Sequence, residues 1–396
     1  MSKEWPALRT GCAEEAGMSA PRLQQLFIRT GEWVDQGLTS SLSYLIARNG
    51  VIVAEKQFGV STYLPPKPAI TSTAIFGLAS ASKPITATAI MLLVEDGLIS
   101  LNRPLLEFLP EIRGRNTEHI LVHQLLTHTS GYTTRTAYPL LKAAFGRTDR
   151  QAGVREQLGQ LFESIIDLAP ETRPGDQHSY CGIVNYLLLG EIVRRVTGKE
   201  LGVFARDRIF ARLGMDSTSY GLTEALRDRR VIPDPRIYAG IDGYDPNDPA
   251  RLQLPHPGGG VFSTVGDMAI FTQLFLNKGG YGQTELLSPA TVAVMTQNQI
   301  PGVGTYDDAG RWISDASWGL GWMVQGSARW RRAHGSLQPV GCFYHQGASG
   351  VAIWADPNSG LLAIFFSVIS RMAPQTEEFF WEFDRFQNMV MASVRD

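Results

Sequence analysis

The sequence predicts an α+β fold in which the two ends of the chain build an antiparallel sheet and a mainly helical lobe is inserted between them. Short apolar runs of strand length follow residue 40, and strand candidates punctuated by glycine follow about residue 314. Between about Pro84 and Pro301 the apolar residues recur at helical intervals. Strands at both ends of a helical middle indicate one sheet, flanked by an N-terminal and a C-terminal helix. We therefore expect residues 1–75 and 315–396 to form a discontinuous α/β sheet lobe, residues 76–314 the helical lobe, and an active site at their junction.

Length and composition describe a globular chain with a sizeable core. The 396 residues exceed one ordinary core, and 44% of them are hydrophobic against 19% charged. A net charge of −2 gives no electrostatic footprint for nucleic acid or an anionic membrane. Cys12, Cys181 and Cys342 are too scattered for a disulfide framework or a metal site, and no apolar secretory segment follows Met1–Pro6. We expect a cytoplasmic protein without a membrane span; its oligomeric state is left open.

The N-terminal segment predicts a helix and a hairpin. Ser19–Gln36 has apolar residues at helical spacing, with Ser19 suited to the N-cap and Pro21 to the first turn. The apolar runs Leu42–Ala47 and Val51–Glu55 are separated by Arg-Asn-Gly, and Asn-Gly between two such runs is a strong hairpin signal. An amphipathic helix and a β-hairpin therefore precede the helical lobe.

The middle of the chain predicts a series of helices joined by long polar connections. Several of them end at a glycine, which suits a left-handed C-cap. The predicted helices are Ile85–Asp96, Leu121–Thr127, Arg155–Leu168, Val184–Thr197, Leu201–Leu213, Thr264–Asn277 and Pro289–Thr296. The connections Arg135–Gly153 and Arg229–Pro257 are expected to line the pocket as loops. Gly258–Gly260 follows the second of them and allows the backbone to approach another group closely.

The C-terminal segment predicts strands and a closing helix. The strand candidates are Trp318–Val324, Gly341–Tyr344, Gly350–Trp354 and Leu361–Val368. Asp356–Gly360 is a cluster of turn-forming residues between the last two. Glu377–Val394 predicts an amphipathic helix, whose apolar stripe consists of Phe379, Phe380, Phe383, Phe386 and Val390.

One stretch carries residues suited to nucleophilic catalysis. Pro84 fits only the first turn of a helix, so the apolar run Ile85–Val94 predicts a buried helix that begins next to Ser80. Lys83 falls one turn beyond Ser80 on the same face, and an amine beside a hydroxyl at a positive helix end can activate a serine nucleophile. The spacing alone is weak, since a chain of this length contains it by chance about once. Ser82 as an N-cap and Lys83 as a solvated first-turn residue are the alternatives.

Five motifs, taken in order, strengthen the catalytic interpretation. They are Ser80–Lys83, Leu121–Gly131, Pro174–Tyr180 leading into Leu188–Gly190, Gly258–Thr264 and Trp318–Trp322. Each motif is weak alone, but together they resemble the serine β-lactamase and penicillin-binding-protein superfamily. The branch that they resemble most is the class C-like one, which includes family VIII-type carboxylesterases, D-amino-acid peptidases and acyltransferases. The similarity runs from about Met18 to Val368 and implies a serine β-lactamase-like fold.

The resemblance implies a catalytic trio. Ser80 matches the acylated nucleophile of the Ser-x-x-Lys motif, and Lys83 matches the amine that helps to deprotonate it. To act as a base near neutral pH, Lys83 needs a lowered pKa, which burial can provide. Tyr180 matches the tyrosine that shares the proton path and returns a proton to the leaving group. Its alternative is a buried tyrosine that caps a helix.

The resemblance also implies a third motif opposite the serine. His345, Gln346 and Gly347 match this motif, which is Lys-Thr-Gly in many β-lactamases and His-x-Gly in several esterases and peptidases. On an edge strand facing the serine, the backbone N–H of Ala348 would join that of Ser80 as an oxyanion hole. His345 would orient or polarise the Tyr–Lys pair or contact substrate, although a lone histidine on a strand is more often structural.

Two departures from the family's motifs bear on the substrate. Gly182 stands where the family has the asparagine of its Tyr-x-Asn motif, and the segment from Tyr180 to Gly190 is one residue longer than usual. Whether Asn185 takes the place of that asparagine is open. The family asparagine binds the amide side chains of penicillins and peptides, and the lysine that His345 replaces usually meets a substrate carboxylate. Both departures favour neutral esters.

The implied function is hydrolysis, or acyl transfer, of small carboxylic esters through an acyl-enzyme on Ser80, with a Lys83/Tyr180 acid–base pair. No metal or organic cofactor is required, and the expected partner is a small-molecule ester or amide substrate. The alternatives are a β-lactamase or D-amino-acid peptidase, an acyltransferase using the same site, and a non-catalytic ligand-binding relative. No Gly-x-Ser-x-Gly elbow occurs. His123 and His128 lack the spacing of a zinc helix and are expected to pack and hydrogen-bond.

Overall fold

The computed structural model describes residues 4–147, 152–238, 245–307, 310–328, 335–369 and 381–395. Its α-helices are α1 Ala20–Asp35, α2 Lys83–Glu95, α3 Val122–Leu126, α4 Thr134–Arg147, α5 Val154–Glu163, α6 Val184–Thr197, α7 Leu201–Ala205, α8 Ala211–Leu213, α9 Glu224–Arg227, α10 Pro249–Gln253, α11 Val265–Leu276, α12 Pro289–Thr296 and α13 Trp381–Ala392. Its strands are β1 Arg9–Thr10, β2 Thr39–Arg48, β3 Val51–Gly59, β4 Phe76–Gly77, β5 Gln177–His178, β6 Ser219–Tyr220, β7 Val261–Ser263, β8 Gly280–Tyr281, β9 Thr284–Glu285, β10 Gly304–Tyr306, β11 Trp312–Ile313, β12 Met323–Val324, β13 Phe343–Gly347, β14 Val351–Asp356 and β15 Leu361–Ile369.

A seven-stranded sheet is built from both ends of the chain, in the order β1-β3-β2-β15-β14-β13-β12. Neighbouring strands are antiparallel, apart from β1, which runs parallel to β3. The N-terminal and C-terminal contributions meet where β2 pairs with β15. Asn49 and Gly50, with φ of 53° and 80°, form the tight turn of the predicted hairpin. The predicted antiparallel sheet is confirmed.

Helices cover both faces of this sheet, because successive residues of a strand point to opposite sides. Tyr44 of β2 lies in a core with Leu26 of α1 and Phe386 of α13. Its neighbour Leu45 lies in the larger core of the helical segment. The predicted N-terminal and C-terminal helices therefore pack together on one face, and the core that contains α2 lies on the other.

Helix α2 runs through the middle of the helical lobe and is buried on all sides. Every residue from Lys83 to Leu93 is buried, and the helix packs against α6 and α7. The predicted helices Val184–Thr197 and Pro289–Thr296 are observed with those bounds. The predicted helix Leu201–Leu213 is continuous but contains a π-helical turn, Arg206–Phe210, between α7 and α8.

One predicted loop is wrong. We expected Arg135–Gly153 to be a loop, but Thr134–Arg147 forms α4. Pro139 lies inside this helix and removes one of its backbone hydrogen bonds. The helix predicted at Arg155–Leu168 ends earlier than expected, at Glu163.

One predicted strand is also mostly wrong. Within Trp318–Val324 only β12 is a strand. Gly321, with φ of 83°, turns the chain so that Trp318 bridges back to Met323. A glycine-punctuated apolar run therefore forms a tight turn here.

Parts of three predictions lie outside the described residues: positions 148–151, positions 239–244, and Phe379 with Phe380 of the C-terminal stripe. The division into two lobes by residue number stays a prediction. Among the described residues, no helix is both long enough and apolar enough to cross a membrane.

Candidate active site

Ser80 lies in a tight turn that joins the short strand β4 to helix α2. The turn is a 3₁₀ segment, Ala79–Ser82, and α2 begins directly after it at Lys83 with Pro84 in its first turn, as predicted. Ala79 has a φ of 45°, which is uncommon for a residue with a side chain. The turn presents Ser80 half-buried at the N-terminus of the helix.

Lys83 is buried beside Ser80, with only 1% of its surface exposed. Its Nζ lies 3.0 Å from the Ser80 Oγ and donates a 2.6 Å hydrogen bond to the carbonyl oxygen of Gly258. Burial disfavours the charged amine and lowers the pKa of Lys83 to about 7. The alternative of a solvated first-turn lysine is wrong. A large share of Lys83 is a neutral amine at neutral pH and can accept a proton from Ser80.

Ser82 is the N-cap residue of α2, as the alternative interpretation had it, but its side chain makes no capping hydrogen bond to the helix. Its Oγ accepts a 3.1 Å hydrogen bond from the backbone N–H of Val261 in β7. Ser82 therefore ties the turn that carries Ser80 to the strand that follows the glycine loop.

Glycines form the floor of the site, where backbone segments meet at close range. A Cβ on Gly258 would lie 2.4 Å from the carbonyl oxygen of Gly182, and a Cβ on Gly259 would lie 3.5 Å from the Ala79 carbonyl carbon. The backbone N–H of Gly258 donates to the Nδ1 of His256 at 3.0 Å. The predicted close approach of this loop is confirmed. It allows the Gly258 carbonyl to accept a hydrogen bond from the Lys83 amine.

Tyr180 lies on the other side of Lys83. The Lys83 Nζ is 5.4 Å from the centroid of its ring. The ring packs against His128 and Trp318, with centroid separations of 4.5 and 5.7 Å. Thr134 Oγ1 donates a 2.7 Å hydrogen bond to the Tyr180 carbonyl. The residue that caps α6 is Ile183, not Tyr180, so the alternative of a helix-capping tyrosine is wrong.

His128 supports the segment that contains Tyr180. Its Nδ1 accepts a 3.2 Å hydrogen bond from the backbone N–H of Cys181 and lies 3.2 Å from the side-chain nitrogen of Asn185. His123 contacts the Leu101 carbonyl at 3.3 Å through its Nδ1. The prediction that both histidines pack and hydrogen-bond is confirmed, and His128 does so against the candidate site.

His345 of β13 is buried, with 1% of its surface exposed, and its ring centroid is 6.1 Å from that of Trp318. Its Nδ1 lies 2.9 Å from the Gln346 carbonyl oxygen. Since a carbonyl only accepts, Nδ1 carries the proton and Nε2 is left as the acceptor. Burial, together with the charge of Lys83, lowers the pKa of His345 to about 3. His345 is therefore a neutral imidazole at this position.

The end of β13 lies against the turn that precedes Ser80. Strand β12 pairs with Phe343 and Tyr344 of β13. A Cβ on Gly347 would lie 2.1 Å from the Leu78 carbonyl oxygen, which only glycine avoids. Ser349 Oγ donates to the Gly77 carbonyl at 2.7 Å. These contacts bring exposed Ala348 beside the Ser80 turn.

Two backbone donors at this junction are unused. Within the part of the chain that the structure describes, the N–H groups of Ser80 and Ala348 donate to no protein acceptor. Both follow residues whose contacts fix the local backbone: the turn before Ser80 and the Gly347 contact before Ala348. A pair of fixed donors beside a hydroxyl and a neutral amine is suited to acyl transfer.

A comparison with known protein families identifies the family of this chain. The model of the β-lactamase family matches residues 30–378. The chain belongs to the β-lactamase family. It is 28% identical to an Escherichia coli protein named "Putative D-alanyl-D-alanine carboxypeptidase", with 92% of this chain and 86% of that protein covered. It is thus a hydrolase of the serine type that this family contains.

Solved structures of family members share the fold. A penicillin-binding protein homologue from Caulobacter crescentus superposes with a TM-score of 0.75 and 19% identity, covering 96% of this chain and 99% of that one. A family VIII carboxylesterase gives a TM-score of 0.72 and 21% identity, covering 96% of this chain and 98% of that one. The predicted serine β-lactamase-like fold is confirmed.

The family's asparagine position has an unexpected occupant. Gly182 has no side chain, and the ring of Tyr180 lies over its Cα. Asn185 does not take the place of the asparagine, since its Oδ1 accepts from Ser130 Oγ at 2.8 Å and its amide nitrogen faces His128. The site therefore has an aromatic ring where the family has an amide.

The sequence analysis assigned no individual role to two neighbours of the site. Gly258 was predicted only to lie in a loop that approaches another group closely and in a motif of the family, although its carbonyl accepts the hydrogen bond from Lys83. Trp318, from a motif quoted only for its resemblance, packs against both Tyr180 and His345. Among the described residues, no cluster of histidine, cysteine and carboxylate side chains could hold a metal ion.

Proposed function

We propose that this protein hydrolyses small, neutral carboxylic esters through an acyl-enzyme on Ser80. One observation carries the proposal: a buried amine with a pKa of about 7 lies 3.0 Å from a hydroxyl. A serine hydroxyl is a weak nucleophile until a neighbouring base takes its proton. An amine that titrates near neutral pH is suited to that task.

Acylation begins when the Ser80 Oγ attacks the ester carbonyl carbon and its proton passes to the Lys83 Nζ. The negative charge that develops on the carbonyl oxygen is stabilised by the backbone N–H groups of Ser80 and Ala348. The bond to the alcohol then breaks, and the alkoxide leaves with the proton from the Lys83 amine, relayed by the Tyr180 hydroxyl.

Deacylation repeats these steps with water. A water molecule attacks the acyl carbon, gives its proton to the Lys83/Tyr180 pair, and the Ser80 Oγ departs with a proton returned to it. The carboxylic acid leaves. An alcohol in place of water would give acyl transfer by the same steps. The thiol of Cys181 is no rival nucleophile, because burial raises its pKa to about 11 and the thiolate is the reactive form.

The surroundings of the trio support neutral substrates. His345 is a buried neutral imidazole, so it offers no positive charge to a substrate carboxylate. Gly182 offers no side-chain amide to an amide on the acyl group. A D-alanyl-D-alanine peptide carries both a carboxylate and such an amide. The activity in the name of the E. coli relative is therefore the second candidate, not the first.

The test is hydrolysis of p-nitrophenyl butyrate by the wild type, by Ser80→Ala and by a control, Ser100→Ala, at an exposed serine. We expect Ser80→Ala to lose activity by at least about 10³-fold and Ser100→Ala to keep the wild-type rate. Mass spectrometry should find the butyryl group on the peptide that contains Ser80. If Ser80→Ala keeps the wild-type rate, Ser80 is not the nucleophile and the proposal is wrong.

The substrate class is tested with a cephalosporin and with a D-alanyl-D-lactate depsipeptide, whose leaving group carries a carboxylate. We expect kcat/KM for the neutral ester to exceed both. Faster turnover of either compound would keep Ser80 as the proposed nucleophile, but the proposed substrate class would change from an ester to a lactam or a peptide. If no acylating probe modifies Ser80, the protein is a non-catalytic relative.

A further inference from the structure

The ring of Tyr180 occupies space that a side chain at position 182 would need. A Cβ built on Gly182 lies 2.8 Å from Cε1 of the Tyr180 ring, and 3.0 Å from both Cζ and the hydroxyl oxygen. Carbon atoms that are not bonded to each other attract best at roughly 3.5–4.0 Å. Even alanine at position 182 would therefore push the phenol out of its place.

The backbone gives no other reason for a glycine here. Gly182 does not have a positive φ, so a residue with a side chain could adopt its conformation without strain. The requirement is one of space, and the atoms that set it belong to Tyr180.

Two aromatic side chains flank the ring of Tyr180 and restrict the directions in which it can move. His128 and Trp318 pack against the ring, and the Tyr180 carbonyl accepts from Thr134. The next backbone N–H, that of Cys181, donates to His128. The backbone is held on both sides of the ring, so a new side chain would act mainly on the phenol.

Gly182 also touches the lysine side of the site. Its carbonyl oxygen lies against the Cα of Gly258, 2.4 Å from where a Cβ would be. The carbonyl of Gly258 accepts the hydrogen bond from the Lys83 Nζ. Gly182 thus contacts Tyr180 directly, and it is linked to Lys83 through the carbonyl of Gly258.

We propose that Gly182 is a positioning residue, which sets the Tyr180 hydroxyl relative to Lys83 by leaving room for the ring. In this chain the position that carries asparagine elsewhere in the family serves the acid–base pair and not the recognition of an amide. The inference rests on the proposed function, because it assigns Gly182 a task within the Lys83/Tyr180 pair.

The test is a double-mutant cycle with Gly182→Ala, Tyr180→Phe and the double variant, assayed on p-nitrophenyl butyrate. We expect Gly182→Ala to lower kcat about tenfold or more, with KM changed less than about twofold, since proton transfer by a well-placed group contributes roughly 10²–10⁴-fold. In the Tyr180→Phe background the same change should cost less than about twofold, because the hydroxyl that it misplaces is already gone.

The matched control is Gly202→Ala in α7. A Cβ there would lie 3.1 Å from the Tyr220 Cβ, a milder crowding against another tyrosine, and Gly202 likewise lacks a positive φ. We expect Gly202→Ala to lower the melting temperature and leave kcat nearly unchanged. If both glycine variants lose kcat in proportion to their loss of stability, Gly182 has only a structural role.

Two results separate this inference from the proposed function. If Tyr180→Phe keeps the wild-type kcat, the acid–base pair itself is wrong. If Tyr180→Phe loses kcat and Gly182→Ala does not, the pair stands and the positioning role of Gly182 is overturned. Should Gly182→Ala fail to fold, Tyr180→Ala/Gly182→Ala should restore folding by removing the ring, and failure to do so would refute the packing argument.

Discussion

Replacing Lys83 by methionine should abolish activity. The difference in unfolding free energy between this variant and the wild type should also depend on pH. Methionine has a similar length and no charge, so it fills the same space without titrating. The pKa of Lys83 falls from its ordinary value of 10.5 to about 7 in the fold, and each pKa unit corresponds to about 1.4 kcal/mol. Keeping this amine protonated inside the protein therefore costs about 5 kcal/mol.

The sign follows from which state binds the proton. Between pH 7 and 10.5 the lysine of the unfolded chain is protonated and that of the folded chain is not, so raising the pH favours folding. The free-energy cost of burying the protonated Lys83 amine is fully present below pH 7 and disappears above pH 10.5. From pH 7 to pH 9 the wild type should gain about 2 kcal/mol that Lys83→Met does not gain. The unsatisfied Gly258 carbonyl costs the variant about 1–3 kcal/mol at every pH.

The measurement is denaturant-induced unfolding of both proteins at pH 7 and pH 9, with exposed Lys278→Met as the control. The difference in unfolding free energy between Lys83→Met and the wild type should shift by about 2 kcal/mol in favour of the wild type at pH 9. The Lys278→Met difference should stay constant. A Lys83→Met difference that does not change with pH would refute the neutral-amine argument.

Three further predictions follow from the same geometry. For a neutral ester, kcat/KM should rise with pH through an apparent pKa near 7, because only unprotonated Lys83 accepts the serine proton; a pH-stat assay that finds a fall over this range contradicts it. His345→Lys puts a second amine beside Lys83, so the midpoint of that profile should move to lower pH. The same variant should raise the relative rate on a carboxylate-bearing substrate about tenfold, and an unchanged ratio would count against our interpretation of His345. Gly347→Ala drives a Cβ into the Leu78 carbonyl and should lower kcat about 10²-fold. The control Gly159→Ala has open space around it and should leave kcat unchanged. Equal rates for the two variants would mean that the backbone of Ala348 does not form part of the oxyanion hole.

The parts of the fold that the sequence predicted are those set by neighbours in the chain. Asn49 and Gly50 adopt positive φ because a two-residue hairpin requires it, and the residue types announce this requirement. Pro84 marks the first turn of α2 for a similar local reason. Helix α4 was not predicted, and Pro139 inside it is a local signal against a helix.

The candidate site divides along the same line. Ser80 and Lys83 are three residues apart on one helical turn, so their proximity is readable from the sequence. The carbonyl that holds the amine belongs to Gly258, 175 residues away, and no local pattern reports that contact. The placement of Tyr180 over Gly182 is hidden for another reason. The two residues are two apart in sequence, but the ring is held in place by His128 and Trp318, which are distant in sequence.

What allows Lys83 to act as a base is the kind of group that surrounds it. Among the described residues, no carboxylate forms an ion pair with Lys83; its partners are a hydroxyl and a backbone carbonyl. A carboxylate would hold the amine as an ammonium and raise its pKa. Burial lowers the pKa values of His256 and His345 to about 3, and the nearby Lys83 contributes to the same shift. Both imidazoles thus stay neutral, and the amine has neither a counterion that would keep it charged nor a second cation that would repel its proton. The same uncharged surroundings that leave much of Lys83 unprotonated at neutral pH would leave a substrate carboxylate without a partner. The proposed acid–base chemistry and the proposed preference for neutral esters therefore have one physical origin.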